Sequence, residues 1–239
     1  MVNLASGERL FFFSNYPIIV FKVQPPYGGP DETGLDLTEV KHYHDFTELV
    51  IIAEGSGVHW VEGNRVHVSA GDVFLLQGKQ EHYFVEPNDL VFYNVMYQPD
   101  ELNLPMTELK NIPGYHAIFT LDPAKQKSNQ FKSHLRLPPA ELARVEQILK
   151  EMWEEVVTKQ TGFEAALLGH LLQLLILLSR KYSETSQSKN RQAVMRIAET
   201  IRILESEYEK QWKLEELASL SNTSPSNLNR IFQQATGMS

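Results

Sequence analysis

Two periodicities divide the chain near residue 138. Before it, residues 9 to about 98 alternate short apolar runs with breaker clusters, and the runs at 10–13, 18–23, 48–53, 58–61, 65–68, 73–76, 82–85 and 90–97 read as strands. The breakers between them are Glu54-Gly55-Ser56-Gly57, Glu62-Gly63-Asn64, Ala70-Gly71-Asp72 and Glu86-Pro87-Asn88-Asp89. Turns at this spacing predict an antiparallel barrel or jelly roll. The stretch 25–30 reads as an irregular loop, and 99–137, interrupted by Pro105, Pro113 and Pro123, reads mostly as loop.

From Pro139 the period becomes helical. One helix is expected to about Thr158, with Leu142, Val145, Ile148, Leu149, Met152 and Val156 on its apolar face, and after Gly162 a second from Phe163 to Tyr182. The second is apolar almost all round, so it needs cover on more than one side; the barrel plus a twin helix from another subunit would supply it, and so would a wholly intramolecular core. The polar stretch 183–191 reads as a linker. The expected organisation is α+β: residues 1–182 as a barrel (about 9–98) and a helical hairpin (about 139–182), then the linker, then an all-α region over 192–239.

Composition adds limits. With 42% apolar and 10% aromatic residues the 239-residue chain is ordinary globular material, and without cysteine it has neither disulfides nor thiolate metal sites. The apolar stretch 165–178 is shorter than a bilayer span, and nothing near the N-terminus reads as an export signal, so a cytoplasmic protein is expected. The net charge is −8, yet from Arg191 onward six basic residues balance six acidic ones. An acidic first part joined to a neutral tail suggests two jobs.

The tail carries the sharper signal. Ser224 is a candidate N-cap and Pro225 occupies the first helical position, where a missing N–H is harmless. Before the Ser221-Asn222-Thr223 turn, Leu214, Leu217, Ala218 and Leu220 make an inward stripe; after it Leu228, Ile231 and Phe232 do, leaving Ser226, Asn227, Asn229, Arg230 and Gln233 outward. Asn pairs bidentately with adenine and Arg with guanine in a major groove, so Asn229 and Arg230 are the candidate base readers, with Ser226 and Gln233 on the same face. The helix Ala193 to Tyr208, with Val194, Ile197, Ile201 and Leu204 inward, would brace this pair.

The segment from Leu214 to Met238 resembles the first helix-turn-helix of the AraC family of bacterial transcription regulators, with Ala218, Ser224, Leu228, Phe232 and Gly237 at the family's positions. The resemblance implies a second such unit beyond a joining helix. Nothing matching it precedes Ser239, so the expectation is a truncated DNA-binding module with fewer phosphate contacts and weak operator binding.

In the first part the notable chemistry is His42-Tyr43-His44, Glu48 and a later His82. Alternate residues share a face of a strand, so His42, His44 and Glu48 can point together into a barrel, with His82 arriving from a neighbouring strand. Three imidazoles and a carboxylate suit Zn, Ni, Mn or Fe; equally, they can hydrogen-bond one another or a sugar's hydroxyls without metal. Trp60 offers a stacking face for a sugar ring, or is simply core. The spacing resembles the cupin signature, although Gln77, Lys79 and Glu86 stand where that family has Pro, Gly and Asn, which puts enzymatic chemistry in doubt. The barrel so implied is a double-stranded β-helix.

Along 41–104 the wording is most similar to activators of bacterial L-rhamnose operons, carried by His44-Asp45-Phe46, residues 48–52, Gly57-Val58-His59 and residues 88–97. What these resemblances imply is a sugar-responsive transcription activator with no catalytic residues: a homodimer whose partners are an effector such as L-rhamnose and an operator duplex, with no membrane. The alternative is a metal-dependent cupin enzyme, an isomerase or dioxygenase, with a helical oligomerisation tail.

Overall fold

The computed structural model describes residues 3–5, 11, 15–25, 41–121, 135–184 and 189–236. Eight strands form one sheet: β1 (Asn3–Ala5), β2 (Ile18–Val23), β3 (His42–His44), β4 (Thr47–Val61), β5 (Asn64–Ser69), β6 (Asp72–Leu76), β7 (His82–Tyr97) and β8 (Leu135–Arg136). Their order is β1-β3-β7-β4-β6-β8, with β2 also on β7 and β5 also on β4. The expected strand at 10–13 lies outside the described residues except for Phe11.

The β4–β7 ladder is the spine. It runs antiparallel from Thr47↔Tyr97 to Val61↔His82, with register shifts between Ile52 and Val58. Two clusters read from sequence as turns, Glu54-Gly57 and Glu86-Asp89, are therefore bulges inside long strands. They were misread because a breaker ends a strand only when its partner strand also ends; here the two clusters face each other, with Ser56 opposite Asn88, and both strands bend together. Gly55 (φ +70°), Glu86 (φ +54°) and Asp89 (φ +47°) take up the bend. Glu62-Gly63, by contrast, is a true two-residue hairpin turn, both residues at positive φ between the paired Val61 and Asn64.

The core between the strands is built from Val23, Val50, Ile52, Val68, Phe74, Leu76, Phe84, Leu90 and Phe92. Leu49 and Ile51 on the opposite side of β4 are equally buried, as an unbroken apolar run demands of a strand covered on both faces. Helix α3 (Pro139–Thr158) packs against β2 and buries Val145, Ile148, Leu149, Met152 and Val156. It ends at Lys159 in the left-handed region.

Residues 105–120 are not loop. Helix α1 (Met106–Lys110), helix α2 (Pro113–Tyr115) and a π-helical turn (His116–Thr120) bury Leu109 and residues 114–119. Pro105 caps the first and Pro113 opens the second. The prolines start helices here, a position where proline is tolerated; Pro123 lies outside the described residues.

Helix α4 (Phe163–Glu184) buries Leu167, Leu171, Leu174, Leu175, Leu178 and Tyr182. Longer than its apolar stretch suggested, it could cross a bilayer by length and composition. Helices α5 (Lys189–Ser206), α6 (Leu214–Leu220) and α7 (Pro225–Thr236) follow. Within 183–191, Ser183 and Glu184 thus close α4 while 189–191 open α5, and 185–188 lie outside the described residues. By Cα proximity the chain divides into two compact units, Met1–Leu104 with His134–Leu174, and Pro105–Ser133 with Leu175–Ser239.

The shared bend yields a controlled prediction. An added Cβ at Gly55 would lie 2.1 Å from the Asp89 carbonyl oxygen, whereas at Gly63, also at positive φ, it would meet nothing within 4 Å. Gly63→Ala is expected to cost only the conformational penalty of about 1 kcal/mol, and Gly55→Ala roughly 3 kcal/mol or more because backbone must shift. Paired urea melts check this; equal losses at both positions would refute the close approach.

Candidate functional site

Three short pieces of backbone converge although Glu48 and His82 lie toward opposite ends of the β4–β7 ladder, which its central bend brings together. His44 ends β3, Glu48 lies near the start of β4, and His82 starts β7 opposite both His42 and Val61. All three side chains are buried, at 1%, 2% and 2% exposure. The Glu48 Oε2 lies 3.1 Å from His44 Nε2 and 3.4 Å from His82 Nε2. Among the described residues none of these three atoms has a hydrogen-bond partner.

The proton count explains why. His44 Nδ1 is 2.8 Å from the Phe46 carbonyl, which can only accept, so Nδ1 carries the hydrogen, and in the singly protonated ring Nε2 presents a lone pair to Glu48. Stacking on Phe46, with ring centroids 4.5 Å apart at 12°, holds that orientation. The corner is short of a cation or a donor. Such orphaned buried groups cost about 1–3 kcal/mol each, and their concentration at one point is chemistry that an ion or a polar ligand would satisfy.

A divalent metal fits the donor set. Two ligands about 2.1 Å from a common ion sit roughly 3.0–3.4 Å apart, which brackets the two distances to Glu48, and all three ligand atoms lie within 4.8 Å of one another. Two imidazoles and one carboxylate leave coordination positions open for small oxygen ligands. His42 contributes less directly than its spacing suggested: it is half-buried, its ring centroid 4.3 Å from that of His82, and it falls outside the converging group.

Sequence reasoning missed His59 and misplaced Trp60, for one reason. Simple alternation along β4 puts Trp60 on the face of Glu48 and His59 on the other; the bulges between Ile52 and Val58 reverse the parity. His59 is therefore the inward residue, fully buried, with Nε2 3.4 Å from His82 Nδ1. Trp60 points away and stacks on Tyr83 at 5.8 Å, with the Arg65 guanidinium over its ring. Burial, and secondarily His42, pushes the pKa of His59 down to about 3. Burial also holds His82 well below the usual histidine value, helped by His42, His59 and His44. Both rings are neutral near pH 7.

The second candidate site is the face of α7. Ser224 Oγ accepts the Asn227 N–H at 3.3 Å, so the expected N-cap is present. The turn before it uses Asn222 at φ +49°, a conformation Asn tolerates. Leu228 and Ile231 are buried, and α7 packs on α5 and α6. Ser226, Asn229, Arg230 and Gln233 are all exposed and, at spacings of three, four and seven, share one face. Asn227 connects Arg230 to the turn: it donates to Thr223 Oγ1 at 2.6 Å and accepts from Arg230 at 2.8 Å. The stripe on α6 is narrower than expected, because Leu214 and Leu220 are exposed and Ala218 carries the burial. On α5 the buried positions are Val194, Ile197, Ala198, Thr200 and Ile203, with Ile201 and Leu204 half-buried.

Known families match both regions of the chain. Residues 37–201 match the AraC-like ligand binding domain, and 204–239 match the bacterial regulatory helix-turn-helix proteins of the AraC family. The HTH-type transcriptional activator RhaR of Enterobacter sp. (strain 638) is 28% identical over 200 residues, covering 83% of this chain and 66% of its own length. RhaR of Escherichia coli O1:K1 / APEC is 26% identical over 199 residues with the same coverage. The chain thus spans just under two thirds of these relatives. Among solved structures, a variant of apo ToxT from Vibrio cholerae aligns over 94% of this chain and 96% of its own at 10% identity and a TM-score of 0.37, and a cupin protein from Bacteroides fragilis over 36% and 69% at 17% identity and 0.27; neither likeness is close enough to carry weight. With more than half of its length inside the ligand-binding match, this chain belongs to the family of AraC-like ligand binding domains.

Proposed function

We propose that this chain senses a small molecule in the barrel and reads DNA with α7, as part of a cytoplasmic, sugar-responsive transcription activator. The observation that carries the reading is that one chain of this family holds a buried set of unpartnered polar atoms and an exposed polar helix face behind a capped turn. The enzyme alternative gains nothing, since both matched families are described by ligand binding and regulation.

His42, His44, Glu48 and His82 are the proposed effector anchors. The effector proposed first is a deoxy sugar, L-rhamnose, following the resemblance to rhamnose-operon activators and the RhaR relatives. A divalent metal held by His44, Glu48 and His82, with His42 beside them, is a second element of the proposal, favoured by their spacing; it would offer open positions to vicinal hydroxyls. Sensing reaches DNA by linkage: an effector shifts the balance between two conformations only by its differential affinity for them. Residues 1–182 form the sensing region and 192–239 the DNA-reading region. A homodimer, paired through the half-buried apolar face of α4 (Leu168, Leu172 and Ile176), would set two recognition helices at half-site spacing.

Two outcomes are expected. L-rhamnose at on the order of 100 times its Kd stabilises the native state by about 2.7 kcal/mol, raising the melting temperature by roughly 5 °C or more, and Glu48→Ala abolishes the shift; no response to any sugar of a panel would rule out a sugar cup. In salt-titrated mobility shifts on single-base operator variants, Arg230→Ala lowers discrimination at one base pair by about 1–3 kcal/mol, and Asn227→Ala does so at the same pair to a lesser degree. Equal loss on every sequence would reassign Arg230 to phosphate.

A further inference from the structure

His44 and His82 face Glu48 in similar ways but are held differently from behind. The outer nitrogen of His44 meets a backbone carbonyl, which fixes its tautomer. The outer nitrogen of His82 meets another imidazole, that of His59, which can give or accept a hydrogen. His59 itself has no freedom to turn away: its ring stacks on Phe84 with centroids 4.2 Å apart at 8°, and meets Phe74 edge-on at 5.2 Å.

We propose that His59 is a positioning residue for a divalent metal, accepting the Nδ1–H of His82 and so turning the Nε2 lone pair of His82 toward Glu48 and His44. This rests on the proposed metal reading and adds to it a residue outside the family-like spacing. Ligating imidazoles characteristically donate their second N–H to an outer partner, which fixes the tautomer and raises basicity. Phe46 does this for His44; His59 is the group in reach of His82 Nδ1.

The protons balance in two arrangements. In one, His59 Nε2–H donates to His82 Nδ1, and His82 Nε2–H points at Glu48. In the other, His82 Nδ1–H donates to His59 Nε2, His59 carries its hydrogen on Nδ1, and His82 Nε2 is bare. Each ring holds one hydrogen throughout. The Nδ1 of His59 has no partner among the described residues in either arrangement, and the choice is made at the other end. A carboxylate alone favours the N–H, and a cation favours the lone pair. Removing the Nε2 of His59 takes the partner from His82 Nδ1 in both arrangements; in the metal-binding one the group so orphaned is a buried N–H whose donation also raised the basicity of the ligating Nε2.

The test uses the full chain and Co(II) as probe, with affinity from equilibrium dialysis and the ligand field from visible absorption. Wild type is expected to bind one Co(II) per chain. His59→Phe keeps an aromatic ring between Phe84 and Phe74 but should bind about 10- to 100-fold more weakly with an altered spectrum, while His59→Gln, whose amide oxygen can accept from His82 Nδ1, should recover most of the affinity. Equal binding by wild type and His59→Phe overturns the role of His59 but leaves the metal reading standing; no binding by wild type overturns both. Long-range proton–nitrogen NMR of Zn(II)-loaded wild type needs no variant: a protonated Nδ1 on His82 supports the proposal, and a bare one defeats it.

Discussion

Glu48 is buried against two imidazole nitrogens that return no hydrogen bond, and much of the molecule is intelligible as the means of holding that carboxylate in place. A group so placed does not stabilise a fold by itself, since desolvation of a buried charge outweighs what imperfect partners return. The surrounding barrel supplies the compensation. Apolar residues on both faces of β4, from Leu49 to Ile52, lie immediately after Glu48 in the chain and are fully excluded from water. Burial of this kind, at roughly 25 cal/mol per Å², lets one strongly polar corner persist.

The bend shared by β4 and β7 decides which side chains reach the corner. Without the register shifts at its centre, β4 would turn Trp60 inward and His59 outward. With them, an imidazole stands behind His82 while the indole lies against Tyr83. The positive-φ backbone at Gly55 and Asp89 is thus tied to the composition of the cup through strand parity. At the other end of the chain a different device serves the same purpose of fixing a side chain: Thr223, Asn227 and Arg230 form a hydrogen-bonded series that aims the guanidinium from the turn outward.

What the sequence made legible follows the range of the physics involved. His44, Glu48 and the Ser224 cap depend on neighbours a few residues away, and short-period patterns revealed them. The barrel and the helix-turn-helix were legible through regular apolar periods and family-like wording. His59 was not, because its place depends on bulges that form only where two distant breaker clusters oppose each other. The same cooperation hid the continuity of β4 and β7, and Pro105 and Pro113 read as interruptions because a helix start and a chain break use the same residue.

If the polar corner serves binding, the barrel does not depend on it for stability. Replacing His44 by Phe, Glu48 by Met, His59 by Phe and His82 by Leu in one chain, and melting it beside wild type in metal-free, sugar-free buffer, tests this most directly. The expected melting temperature is equal to or above that of wild type, as apolar substitutes for buried polar clusters are neutral or stabilising by about 1–4 kcal/mol. A melt lower by roughly 10 °C or loss of cooperative unfolding, equivalent to several kcal/mol, would contradict it and make the cluster a structural element.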